Sequence, residues 1–335
     1  MSHFVETMAY AGDVPWHSLG THVGDENVDS SRMQEAAGLQ WKVKKAPLSD
    51  PSGEEIPGVY GIQRTDTGRC FAGVSVGERY EPFQNEELFA FGDSLRTASG
   101  GELKWHTAGS LKHGRRVWAL AQMAGSINVE RRAGAMDVSA PFLLLTNSHD
   151  GSSGILVMHT AVRVVCWNTL SYALSDADNI QRVRHTSGAR DRLDEAAQTL
   201  GYAVSYFERY ADLAQGLADK PMSHKEFGTF ASMILTGVDD PEKALRAVAN
   251  AEKRSKTLIE RDGAQLYNNF VSGRGNAGRD CFDALNSITE FVDHQRGRMG
   301  RYKRTTERLE QSLDSAAFGQ GQRIKQRAVK LLTRW

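Results

Sequence analysis

The residue types that could do chemistry in this 335-residue chain gather between Pro141 and Leu174, in the run PFLLLTNSHDGSSGILVMHTAVRVVCWNTLSYAL. Cys166 offers a thiol, His149 and His159 imidazoles, and Asp150 a carboxylate. A nucleophilic centre needs those groups as a thiolate beside an imidazole that a third group orients. The spacing does not single out that arrangement, because Cys166 lies among valines, where a buried, unreactive thiol is the common case. A metal-dependent nuclease would need several carboxylates or histidines converging on one ion. His149 and Asp150, with Asp137 and Asp176, supply the residue types, yet H-E-x-x-H, paired D-x-D and HNH-like patterns are absent. Asn147 and Asp150 equally suit a hairpin turn in which each side chain bonds its own backbone. His149, Asp150 and Cys166 therefore stand as the candidates for a hydrolase or nuclease, and no metal-ligand set or cofactor is assigned. The pattern G-x-x-x-x-G-K-S/T is missing, and GRGNAGRD from Gly273 follows a helix instead of a strand, so no nucleotide cradle is expected.

The other chemistry on offer is phosphate recognition. The formal net charge is zero, but residues 1–60 carry nine acidic and four basic side chains, whereas 294–335 carry three and eleven. Arg163 sits inside an apolar run and needs an acceptor for its donors. Arg182, Arg184, Arg190 and Arg192 follow the central stretch; Arg296, Arg298, Arg301, Lys303 and Arg304 form a second cluster, and Arg323, Lys325, Arg327 and Lys330 a third. A groove of such residues with an aromatic face, Trp167 or Tyr172, would suit single-stranded nucleic acid, whose phosphates pair and whose bases stack. The plainer alternative is a solvated helix face balanced by Glu307, Glu310 and Asp314, or a contact between subunits. An acidic front and a basic back also suit head-to-tail assembly of a homo-oligomer.

The elements that must position these residues change character near residue 178. Before it, LQWKVKKAPL, VYGIQRT, RCFAGVSV, LKWHTAGSL, RRVWALAQM, FLLLTN and GILVMHT read as strands. Asp66-Thr67-Gly68, Lys112-His113-Gly114 and Asp150-Gly151 are the turns. Residues 32–37 and 85–98 read as helices, the second placing Leu88, Phe89, Phe91 and Leu95 near one face. The first thirty residues suggest an extended arm pinned by Trp16, with His17 and His22 half exposed. Residues 123–138 suggest a loop or loosely paired hairpin with Arg131 and Arg132 exposed, and His106 and His113 are expected to face solvent. After residue 178 the chain reads as helical: 187–217, 223–235, 241–260, a helix after the SGRGNAG break at 272–278, and a tail helix striped by Ile324, Ala328 and Leu331. The expected fold is α+β, a curved antiparallel sheet with packed helices in a domain spanning 1–178, then a helical domain spanning 179–335 with a basic tail.

Composition narrows the classes. With 40% hydrophobic and 24% charged residues the chain is of globular type, and no run reaches the roughly 18 apolar residues of a membrane span. The start MSHFVETMAYAGD lacks a basic region followed by an apolar core, so a cytoplasmic, unprocessed chain is expected. Cys70, Cys166 and Cys281 are far apart, which argues against a disulfide framework or a cysteine-rich zinc site.

With these residues in view, the chain resembles the phage/plasmid-like protein family, also known as the domain of unknown function 932 family. The likeness rests on PWHSLGT at Pro15–Thr21, AAGLQWKV at Ala36–Val43, NSHDGSSG at Asn147–Gly154, VRVVCWNTL at Val162–Leu170, ALNSITEFVDH at Ala284–His294 and the closing AAFGQGQRIKQRA. The resemblance implies a cytoplasmic protein of phage growth or plasmid transfer and brings no catalytic residues. The leading expectation is a non-enzymatic, oligomeric protein that binds or anneals single-stranded DNA in replication or recombination. The alternatives are a protein that sequesters a host defence factor, and the hydrolase or nuclease above.

Overall fold

The computed structural model describes residues 5–12, 20–24, 28–98, 103–131, 134–163, 180–198, 202–295 and 320–335. The fold is α+β, with antiparallel sheets and helices mainly in the C-terminal half. Two compact units divide the chain, each from three segments: Met1–Ala124, Phe142–His159 and Asp176–Ala203 in the first, Gly125–Pro141, Thr160–Ser175 and Val204–Trp335 in the second.

The first unit is built on strands β1 (Val5–Tyr10), β2 (Thr21–His22), β6 (Lys104–Leu111), β7 (Arg116–Gln122) and β11 (Ile180–Val183), with β9 (Met136–Ser148) from Phe142 onward and β10 (Ile155–Arg163) as far as His159. Their order is β11-β10-β9-β7-β6-β1-β2, and β11 and β2 are the edges. The expected hairpin between β6 and β7 forms, and its turn uses positive φ at Lys112, His113 and Gly114. The arm expected at the N-terminus is instead β1, paired antiparallel with β6 over Val5–Tyr10. A partner strand decided this, since the local pattern there has no clean alternation. Strand β11 breaks the all-helical reading of the later chain for the same reason: four residues become a strand by pairing with Ile155–Met158.

A smaller sheet holds β3 (Val43–Ser49), β4 (Glu55–Arg64) and β5 (Val76–Gly77). RCFAGVSV contributes less strand than expected, a single bridge at Cys70 and the two-residue β5. Helices α1 (Ser30–Ala36), α2 (Asn85–Ala98) and α3 (Ala189–Gln198) complete the unit. Helix α2 buries Leu88, Phe89, Phe91 and Leu95 as its sequence pattern requires. It approaches β6 so closely that a Cβ at Gly92 would stand 2.3 Å from the Trp105 ring, whose Nε1–H donates to Asp93 at 3.1 Å. His106 is buried at 9% exposure, against the expectation that it faces solvent, while His113 and His22 are exposed.

In the second unit, β8 (Ile127–Glu130) pairs antiparallel with the start of β9, from Ile127↔Ser139 to Glu130↔Met136. The helices are α4 (Tyr202–Ala218), α5 (His224–Thr236), α6 (Pro241–Ala249), α7 (Lys253–Ser272), α8 (Cys281–Glu290) and α9 (Gln320–Thr333). A reciprocal Ser223–Glu226 capping box starts α5, and Gly237 at φ 78° stops it. Asp240 and Pro241 start α6 as expected, but the helix ends at Asn250 and α7 begins three residues later. Helix α8 is the centre: every residue from Cys281 to Thr289 is buried. It runs on through a π-type turn at Phe291–Gln295, from which Asp293 meets Lys325 of α9.

Lys325 is wholly buried and Asp293 nearly so. Desolvation dominates and pulls the lysine's pKa below its usual range, opposed by the charge and hydrogen bond of Asp293. Truncating one member of such a pair leaves the other charge buried without its counter-ion, at about 3–5 kcal/mol. Lys325→Ala should therefore destabilise the protein by about that amount. Lys325→Met with Asp293→Leu should recover most of it; denaturant titration checks both.

Candidate nucleic-acid interface and buried histidine centre

The turn NSHDGSSG joins β9 to β10, and the structure separates its two chemical side chains. Asp150 accepts from Ser148 Oγ at 2.6 Å and from the Ser152 backbone N–H at 2.9 Å. Burial works against its charge, but these hydrogen bonds outweigh it and hold its pKa below the usual range. Asp150 is thus turn chemistry. His149 points the other way and is fully buried. Its Nε2 is 2.8 Å from Asn85 Oδ1, while Asn85 Nδ2 donates to the carbonyls of Leu39 and Trp41 at 3.1 and 3.2 Å. With both amide hydrogens of Nδ2 turned to carbonyls, Oδ1 must accept, so the network assigns the proton to His149 Nε2.

Two residues earlier, Asn147 Nδ2 donates to Phe83 O at 2.6 Å. The same strand therefore clamps the start of α2 twice. Trp41 lies edge-on to His149 at 5.2 Å, and its other side carries the Arg64 guanidinium at 4.2 Å. Arg64 is held by Glu6 and Asp66. His185, just past β11, stacks on Tyr80 at 4.9 Å. Tyr80 Oη donates to Ser148 O at 3.2 Å, and burial, helped by the charge of Asp150, pushes its pKa up.

Burial pushes His149 down to about 3, with repulsion from His185 and Arg64 adding to it and Asp150 opposing. Burial likewise brings His185 to about 4. A base this weak, buried and committed to Asn85 is a poor proton acceptor near neutral pH. The centre is a polar clamp. Sequence reasoning named His149 but missed Trp41, Tyr80, Asn85 and His185, which lie 36 to 108 positions away along the chain. Cys166 lies outside the described residues. Among the described residues, no group of three or more His, Cys, Asp or Glu is placed to hold a metal ion.

The basic candidates fall into three groups. Arg182 and Arg184 alternate outward along β11 and beyond it, flanking buried Val183, and both are exposed. Among the described residues, neither makes an ion pair or a side-chain hydrogen bond. At the turn into β11's partner, a Cβ at Gly154 would come 2.3 Å from Val183 O, so the glycine lets the edge strand close on β10. Arg190 is exposed but binds Glu87, with Nε donating at 2.6 Å, and Arg192 bonds Thr186 Oγ1 at 2.5 Å.

On α9, Arg323 is exposed, Arg327 pairs with Asp239 at 2.5 Å, and Lys325 is inside with Asp293. Helix α9 therefore presents no unbroken basic face. Arg163 ends β10, and its side chain lies outside the described residues, as do Arg296, Arg298, Arg301, Lys303 and Arg304. Arg131, expected to be exposed, is buried among carboxylates: its Nη2 meets Asp280 at 3.0 Å and Asp283 at 2.5 Å, and its guanidinium lies over Phe282 at 5.0 Å. Arg132 lies outside the described residues.

The family match covers residues 74–318, from just before β5 to just short of α9. The chain belongs to the family described as Domain of unknown function (DUF932). That span of the DUF932 chain contains Tyr80, Asn85, His149 and His185 of the histidine clamp, β11 and α8, and leaves out Trp41 and Arg64, Lys325 and strands β1 to β4. No curated protein and no solved structure matches the chain. No helix among the described residues is long and apolar enough to cross a membrane.

Two histidines buried neutral give a signed pH dependence. The unfolded chain protonates them near 6.5 and the folded chain only near 3 and 4, so the unfolded state binds more protons between these values. Stability should fall as pH drops from 6.5 toward 4.5, by at most about 1.4 kcal/mol per pH unit for each histidine. His149→Gln should flatten the profile in that window, measured as the denaturant midpoint against pH. An unchanged slope would show that His149 is not buried neutral.

Proposed function

We propose that this DUF932 protein is a non-enzymatic binder of single-stranded nucleic acid, acting as an oligomer. The observation that carries the reading is the pair Arg182 and Arg184, two exposed guanidinium groups on and just past the edge strand β11 without a counter-ion among the described residues. Elsewhere in the described chain, named arginines such as Arg64, Arg131, Arg190 and Arg327 are neutralised by carboxylates. Planar, fixed donors of this kind match phosphate oxygens two at a time. Single strands are favoured because a strand edge tracks an extended backbone, and repeated weak phosphate sites in an oligomer add to a strong one. The resemblance to phage and plasmid proteins is in keeping with this role.

Fluorescence anisotropy with a labelled oligo(dT) tests it. Binding should be tight at low salt and weaken steeply as salt rises. Replacing Arg182 and Arg184 by Ala should lower the slope of log affinity against log salt by about 1.4, at roughly 0.7 per phosphate. Absence of binding at low salt, or binding indifferent to salt, would sink the proposal and favour a protein partner instead.

A further inference from the structure

Large hydrophobic side chains exposed in the second unit include Tyr267 and Val271 of α7, at 40% and 36%, and Trp335 just past α9, at 37%. Tyr267 and Val271 stand four residues apart on one helix face. A row of rings links Tyr267 to Trp335 through the core: Tyr267 to Phe227 at 6.3 Å, Phe227 to Phe230 at 6.2 Å, and Phe230 to Trp335 at 6.2 Å. Phe227 and Phe230 are wholly buried. Each exposed ring is therefore braced by a buried one that limits its movement. Tyr267 is fixed further by its hydroxyl, 2.6 Å from His224 Nδ1. A rigid aromatic face exposed to water loses little conformational entropy when something flat is laid on it.

Cationic side chains lie on the segments that carry this row. Lys225 follows His224, Arg334 precedes Trp335, and Lys330 lies one turn earlier on α9; all three are exposed. Exposed Arg279 joins them, because its carbonyl accepts from Met222 N–H at the approach to α5. Among the described residues, none of these four makes an ion pair or a side-chain hydrogen bond. Lys220 Nζ donates to the last carbonyls of α9, Leu332 and Thr333, at 3.5 and 3.2 Å, which brings the end of α9 to the start of α5. The acidic neighbour, Glu226, is turned back onto Ser223 by the capping box.

We propose that Tyr267 and Trp335, rimmed by Lys225, Arg279, Lys330 and Arg334, form a stacking platform for the unpaired bases of single-stranded nucleic acid. Aromatic faces take bases of any sequence, and the surrounding cations take the phosphates between them. A duplex keeps its bases stacked on each other and offers the rings nothing, so the platform selects single strands. An acidic peptide would satisfy the cations but leave the rings in water. This platform rests on the nucleic-acid reading above but uses a different surface and a different force.

The test uses the full chain and labelled oligo(dT). Tyr267→Leu and Trp335→Leu should each weaken binding by about tenfold while leaving the salt slope unchanged, in contrast to the arginine variants of β11. Tyr267→Phe and Trp335→Phe keep the rings and should stay within about threefold of the parent. Parent protein that binds with Leu variants equal to it would overturn the platform and leave the general reading standing. Parent protein that does not bind at all would overturn both. Circular dichroism checks the folding of each variant. If a Leu variant is unfolded, photo-crosslinking of the parent to thymine-containing strands decides: adducts at Tyr267 or Trp335 support the platform, and adducts confined to other residues overturn it.

Discussion

Helix α8 is buried from Cys281 to Thr289 yet is flanked by charge at both ends, and the second unit is arranged around neutralising that charge. At its start Asp280 caps the helix by accepting from Asp283 N–H at 2.9 Å, and Asp283 accepts from Ala277 and Arg279 N–H groups. Two carboxylates so close are costly out of water; burial and the Asp283 charge push Asp280 above its usual range. Arg131, delivered by the end of β8, supplies the counter-charge to both. At the other end Asp293 takes Lys325 from α9. Each pairing joins segments far apart in sequence, so burying α8 also holds β8 and α9 to it. Between the ends, Ser287 Oγ donates to Leu266 O of α7 at 2.6 Å.

The same constraint separates structural cations from free ones. A guanidinium or ammonium that enters the interior must bring its carboxylate, so Arg64, Arg131 and Lys325 serve the fold. Groups left at the surface without an acceptor bear no such duty. Arg182 and Arg184 in the first unit, and Lys225, Arg279, Lys330 and Arg334 in the second, remain available to an anion from outside. Surface pairs such as Arg190 with Glu87 lie between these classes. They contribute little to stability and cost little to exchange for a phosphate.

Local chemistry accounts for what could be read before any contact was known. Asn85 to Ala98 is helical because its apolar residues recur at helical spacing behind an acidic first turn. The Lys112-His113-Gly114 turn forms between strand patterns on both sides and ends on a glycine, the residue that enters positive φ freely. Ser223, Asp240 and Gly237 place helix ends by satisfying or releasing backbone groups nearby. His149 and Asp150 were visible as residue types, and the turn reading of Asp150 needed only its own neighbours, Ser148 and Ser152.

What depended on distant partners was invisible to periodicity. The pattern at Val5–Tyr10 and Ile180–Val183 is too short or too mixed to announce a strand, and each became one by pairing with a strand elsewhere in the chain. Arg131 and Lys325 look like surface residues by type, and only Asp280, Asp283 and Asp293 made their burial tolerable. His149 acquired its role from Asn85 and Trp41, and the exposed Tyr267 and Trp335 are linked by ring contacts through the buried Phe227 and Phe230. The amino-acid sequence by itself determined the helices, the turns and the uneven spread of charge, because those follow from residues within a few positions of one another. Tertiary structure alone decided which charges are neutralised and which stay free, because desolvation and pairing depend on what the fold brings alongside.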